Sequence, residues 1–187
     1  MKKLILLSAI SLAFVGCKTD VISSITTDDL MSDAQKSVQG IVEVEVLSCN
    51  DFNDSRNESR SLIEAKAKVS HILKGSEYKE CYKKQFKSYA VFSTPIVVGS
   101  GRSGVNFIDG DIYILNNDDA YLSAILSPDL IEKIKREEQS FSSMSKIDLN
   151  MTIGLKKGDS TIPDLIWEGV YLSDDPANVK KHPHIMK

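Results

Sequence analysis

Three cysteines, three histidines and many carboxylates are the residues of this 187-residue chain whose side chains could do chemistry. A nucleophile needs a base and a group to orient it. The chain has no G-x-S-x-G elbow, and only His71 falls inside the part that patterns as folded. That histidine stands near the end of an expected helix, where it would meet the terminal carbonyls. His182 and His184 flank Pro183 and could offer two imidazoles to a metal. A structural site wants four ligands of matched geometry, so this pair reads as part of a flexible tail. The acid pairs Asp28-Asp29, Asp118-Asp119 and Asp174-Asp175 lack the alternating oxygen ligands of a calcium loop, and Asp109-Gly110-Asp111 matches only a fragment of it. Solvated turns account for them. Gly99-Ser100-Gly101-Arg102-Ser103-Gly104 spells G-x-G-x-x-G after an expected strand. A dinucleotide site also needs a helix opening at the last Gly and an acid about 20 residues on, where Ala124 stands. A loop is the reading. No catalytic, cofactor-binding or metal-ligating residue is assigned, and no enzymatic activity is expected.

The remaining chemistry belongs to the thiols. Lys2 and Lys3 precede an apolar run over residues 4–15 that only Ser8 and Ser11 interrupt. The run is too short to cross a hydrocarbon core, which takes about 20 residues, but it has the length of a signal-peptide apolar region. It ends in Ala13-Phe14-Val15-Gly16-Cys17. A small residue directly before a Cys at the end of such a leader resembles the bacterial lipobox, although Phe14 stands where that pattern prefers Leu. The resemblance implies cleavage between Gly16 and Cys17, with Cys17 acylated as the new N-terminus. Several acyl chains would anchor the protein stably, since each buried methylene contributes about 0.8 kcal/mol. Lys18, not Asp, follows the Cys, and in enterobacterial lipoproteins that implies the outer membrane, facing the periplasm or the cell exterior.

Cys49 and Cys81 then form an even pair in a chain expected to be exported, which reads as a disulfide. No C-x-x-C spacing suggests a redox couple. The bridge would close a loop of about 32 residues and stabilise the fold by roughly 3.5 kcal/mol.

The elements that must hold these residues follow from hydrophobic period. Residues 17–36 are polar and rich in Ser, Thr and Asp, and read as a tether with one short helical turn. In 41–47, Val42, Val44 and Val46 alternate with Glu43 and Glu45, the pattern of a half-buried strand. Leu62, Ala65, Val69 and Ile72 share one face of a helix that Lys74-Gly75 would end. Residues 78–98 are aromatic and β-branched and read as one or two strands, bent or ended near Pro95. They also hold the one locally basic strip, Lys79, Lys83, Lys84 and Lys87. It reads as the solvent face of an amphipathic strand, with an acidic partner or lipid headgroups as the alternative. Short strands are expected at 111–115 and 121–126. Ser127-Pro128-Asp129 opens a second helix with a cap, a Pro at its first position and an acid in its first turn. Ile147, Leu149, Met151 and Ile153 alternate with polar residues as a strand, and 165–172 is the last strand. The expected fold is α+β, a mainly antiparallel sheet of about five to seven strands with two helices packed on it. Its boundaries are a signal peptide at 1–16, a lipid-anchored tether at 17–36, one domain at 37–173 and a flexible tail at 174–187.

A formal charge of −3 and 42% hydrophobic residues describe a foldable chain with no basic excess to attract nucleic acid. Gly16-Cys17-Lys18-Thr19-Asp20, Val42-Glu43-Val44, Cys49-Asn50-Asp51, Asp54-Ser55-Arg56, Glu58-Ser59 and Cys81 together resemble the small uncharacterised lipoproteins of enterobacteria and their prophages. The resemblance implies no assigned activity. The expected function is a membrane-anchored binding module that docks on another envelope protein, in the manner of prophage exclusion or receptor modulation. The alternative is a structural accessory of a secretion, conjugation or envelope assembly.

Overall fold

The computed structural model describes residues 18–50, 58–116, 122–140, 148–159, 161, 165–171 and 182–185. In chain order its elements are β1 Lys18–Thr26, α1 Thr27–Met31, β2 Lys36–Val46, α2 Arg60–Ile72, β3 Glu77–Lys84, β4 Lys87–Ser100, β5 Ile112–Asn116, β6 Leu122–Leu126, α3 Pro128–Ser140, β7 Asp148–Lys156, β8 Leu165–Tyr171 and β9 His182–Ile185. A 3-10 turn, Gly101–Ser103, follows β4.

The strands form one sheet in the order β6-β5-β4-β2-β1-β7-β8-β9, with β3 lying beside the first half of β4. All pairings are antiparallel except β1 with β7 and β4 with β5. The α+β class and the mainly antiparallel sheet agree with the sequence. The strand number does not: the described residues form nine strands where five to seven were expected, and α1 adds a third helix among them.

The largest correction concerns residues 17–36. From Lys18 onward this stretch is no tether but a central strand and a short helix, and β1 pairs with β2 on one side and β7 on the other. Its inward positions are Thr19, Val21, Ser23 and Ile25, all buried, while Ile22 points outward. Two hydroxyls facing in and one isoleucine facing out blur the two-residue period that marks a strand. Sheet pairing on both edges overrides the weak local signal. Ser23 Oγ has no hydrogen-bond partner among the described residues.

The tail expected at 174–187 is likewise ordered at His182–Ile185, where β9 pairs with β8. Pro95 does not end its strand, which runs on to Ser100. β3 pairs with β4 as far as Ser93, β5 takes over at Ile96, and Pro95 falls between them. At that point this edge of β4 has no ladder for a missing N–H to break.

The core lies between the sheet and α2 and α3. Val42, Phe92, Ile96, Val98, Ile112 and Ile114 from the strands meet Leu62, Ala65, Val69, Leu130 and Ile134 from the helices. Ile72 packs partly buried against the same core. At Gly40 the backbone comes so close to Ile96 that a Cβ would lie 2.2 Å from its Cδ1. Ser59 caps α2 by accepting from the Leu62 N–H at 3.3 Å, and Gly75, at φ 67°, lets the chain turn away past its end. Ser127 caps α3 by accepting from the Leu130 N–H at 3.0 Å.

Buried Asp111 joins the two helices. One carboxylate oxygen accepts from the Ser127 hydroxyl at 2.8 Å, and the other accepts from the backbone N–H of Lys74 at 2.7 Å. A single carboxylate thus serves the end of α2 and the start of α3, which is the use the structure finds for the calcium-like fragment.

Candidate functional site

Strands β1, β4 and β7 all begin at the same end of the sheet, because β1 is parallel to β7 and two antiparallel steps relate it to β4. Lys18 lies level with Glu45 and Tyr89 there. Beyond that level project the tip of the β3–β4 hairpin and Leu47, the residue after β2. This end is held by the Cys49–Cys81 disulfide, whose Cα atoms are 5.7 Å apart and whose two cysteines are buried. The bridge ties β3 to the chain leaving β2.

The sheet face away from the helices carries three ordered rows. Register places Glu45, Tyr89 and Tyr82 in the first row, and Asn150, Asp20, Glu43 and Val91 in the second. Thr152, Ile22, Ile41 and Ser93 make the third. Tyr82 and Tyr89 stack with ring centroids 5.5 Å apart. Lys87 donates to Glu45 at 2.8 Å, which raises the lysine from its ordinary value. Burial pushes the Tyr82 phenol up to about 12, and its hydrogen bond to the Glu43 carboxylate adds to the rise. Ile22 and Ile41 are directly paired and 37% and 44% exposed, unusually open for large apolar side chains on central strands. At the other end of β4 the same face is covered: Tyr113, Val97 and Leu115 pack beneath Val105 and Phe107.

Of the candidate site residues named in the sequence, the structure joins Cys49 to Cys81, and it joins Asp111 of the calcium-like fragment to Ser127 of the α3 cap. Gly16 and Cys17 lie outside the described residues, as do Asp118-Asp119 and Asp174-Asp175. The G-x-G-x-x-G stretch ends β4 and enters a 3-10 turn, without the helix a pyrophosphate would need. His71 sits in the last turn of α2, far along the chain from His182 and His184 in β9. Among the described residues no three His, Cys, Asp or Glu gather where they could hold a metal ion. No described helix is long and apolar enough to cross a membrane.

Sequence reasoning missed the paired Ile22 and Ile41, because one of them lay in the supposed tether. It also passed over the hairpin tip. Two residues, Gln85 and Phe86, form that turn, with Gln85 at φ 56° and Phe86 fully exposed. A two-residue turn ordinarily announces itself by Asn-Gly or a Gly, and neither is present.

The chain belongs to the DUF7424 family, described as a domain of unknown function, whose family model matches residues 19–184. No curated protein and no solved structure matches the chain.

Proposed function

We propose that the protein is a lipid-anchored envelope protein, held at the outer membrane through an acylated Cys17. There it is a non-catalytic module that docks on another envelope component, as in prophage-type exclusion or receptor modulation. The observation that carries this reading is the start of β1 at Lys18, one residue after the lipobox Cys. An anchor at Cys17 would be attached directly to a central strand, so the membrane would fix the orientation of the whole sheet. A docking module needs that fixed presentation, whereas a long tether would dissipate it. The uncovered row with Ile22 and Ile41, flanked by Asp20 and Glu43, is the face offered to the partner. It combines an apolar centre with a polar surround, the anatomy of a transient interface.

The test has two parts. Labelled palmitate should enter the protein and be lost on Cys17→Ser. A photoreactive residue replacing Ile41 should then capture one dominant envelope protein in intact cells, and Ile41→Lys should abolish docking. Unlabelled protein would refute the anchor. Crosslinks scattered without preference would refute the docking face.

A further inference from the structure

We infer that the β3–β4 hairpin tip is a second membrane contact, seating the anchored domain on an anionic phospholipid surface. This rests on the anchor proposed above. The tip places Phe86 in solvent at full exposure, with Leu47 68% exposed at the same end. Burying the Phe86 ring in an acyl boundary would strengthen a binding equilibrium by about tenfold or more. Lys83, Lys84 and Lys87 flank it, all exposed. Lys87 is paired with Glu45, but Lys83 and Lys84 form no ion pair among the described residues. An apolar tip inside a basic collar is the chemistry of a lipid interface: the ring enters the acyl boundary while the ammonium groups meet phosphates.

Position selects the membrane as occupant over a protein. The chain that would carry the anchor enters the sheet at Lys18, level with Tyr89. β4 begins two residues earlier than Tyr89, so the tip reaches beyond the level at which β1 starts. With Cys17 acylated, Phe86 and its lysines would face the bilayer at close range. The hairpin is also stiff at its base, where the disulfide holds Cys81 and the rings of Tyr82 and Tyr89 stack.

Phe86→Trp in the full-length protein, reconstituted into vesicles of phosphatidylcholine and phosphatidylglycerol with brominated chains, tests this. The parent chain serves as the subtraction for Trp167. Mass spectrometry of the N-terminal peptide reports acylation separately. Emission of the new tryptophan should fall by about twofold or more through contact with the brominated chains. Lys83→Glu with Lys84→Glu should weaken tip insertion by on the order of fivefold per lysine on these vesicles, and much less on phosphatidylcholine alone. If Cys17 is acylated and the tryptophan stays unquenched, the hairpin proposal is overturned while the anchor stands, and a protein becomes the candidate occupant. If Cys17 is unmodified but the tryptophan is quenched on added vesicles, the anchor reading fails and the hairpin contact is upheld. An unmodified, unquenched chain overturns both.

Discussion

The two ends of β4 are secured in different ways. At its start a covalent bridge, Cys49–Cys81, pins the hairpin, and the surface around it keeps its side chains open. At its finish the chain is secured by polar groups turned inward. Tyr113, fully buried, donates to the Asn106 carbonyl at 2.6 Å and accepts from the Gly110 N–H at 3.1 Å, while Asp111 serves both helix ends. Hydrogen bonds that hold an end together consume the groups they use, since a buried polar atom must find a partner. A disulfide holds without consuming any. The bridged end displays lysines, an aromatic ring and paired acids, while the bonded end turns Tyr113 and Asp111 inward and leaves Arg102 and Ile108 exposed.

Removing the bridge should have the largest effect. Cys49→Ala with Cys81→Ala should lower unfolding free energy by about 3.5 kcal/mol in urea titration, with hydrogen exchange rising first in β3. Protection lost evenly over the sheet would break the comparison. Asp111→Ala should cost about 3 kcal/mol, because the Ser127 hydroxyl and the Lys74 N–H both lose a charged acceptor inside the protein. Its exchange signature should appear at the end of α2 and the start of α3, leaving the hairpin untouched. Gln85→Gly should act in the opposite sense and stabilise by about 0.5–1 kcal/mol, since a non-Gly residue at positive φ is strained there.

The smallest effect is seen only at alkaline pH. Folding raises the Tyr82 phenol from 10.0 to about 12. Above pH 10 the unfolded chain has given up a proton that the folded chain still holds. The contribution is thus complete below pH 10 and is lost as pH rises through 12. Tyr82→Phe should flatten this alkaline fall, and the phenolate absorbance lost in the variant should titrate near 12. A midpoint near 10 would show that the aromatic pair is less shielded than its stacking implies.

The sequence disclosed what depends on neighbours in the chain. α2 and α3 were legible from caps and apolar faces, because Ser59, Ser127 and Pro128 act within one turn of their own positions. β2 and β7 were legible because Val42, Val44 and Val46, and Leu149, Met151 and Ile153, alternate with polar or outward residues in an unbroken two-residue period. The disulfide followed from counting and compartment. β9, His182-Pro183-His184-Ile185, was hidden because it carries no apolar alternation, and β1 because one of its edges is closed only by a strand distant in sequence, Lys18 pairing with Asp148. Asp111 was opaque for the same reason, since its partners lie 37 and 16 residues away. On the candidate face, Glu43 and Glu45 were readable as outward residues of a strand. Their companions Asp20 and Ile22 were not, as no strand had been assigned to carry them.

The parallel ladder between β1 and β7 also governs when the protein can become itself. β1 leads the described chain, yet one of its two edges stays unpaired until β7 has emerged, near the other terminus. A chain appears in order from its first residues as it is made, so until β7 follows, the future middle of the sheet is an open edge, with exposed N–H and C=O groups ready to pair with strangers. Such long-range closure makes for slow folding. The protein therefore has a vulnerable interval between the appearance of β1 and that of β7, in which a holding chaperone would matter most, and a chain truncated before Asp148 would never leave it.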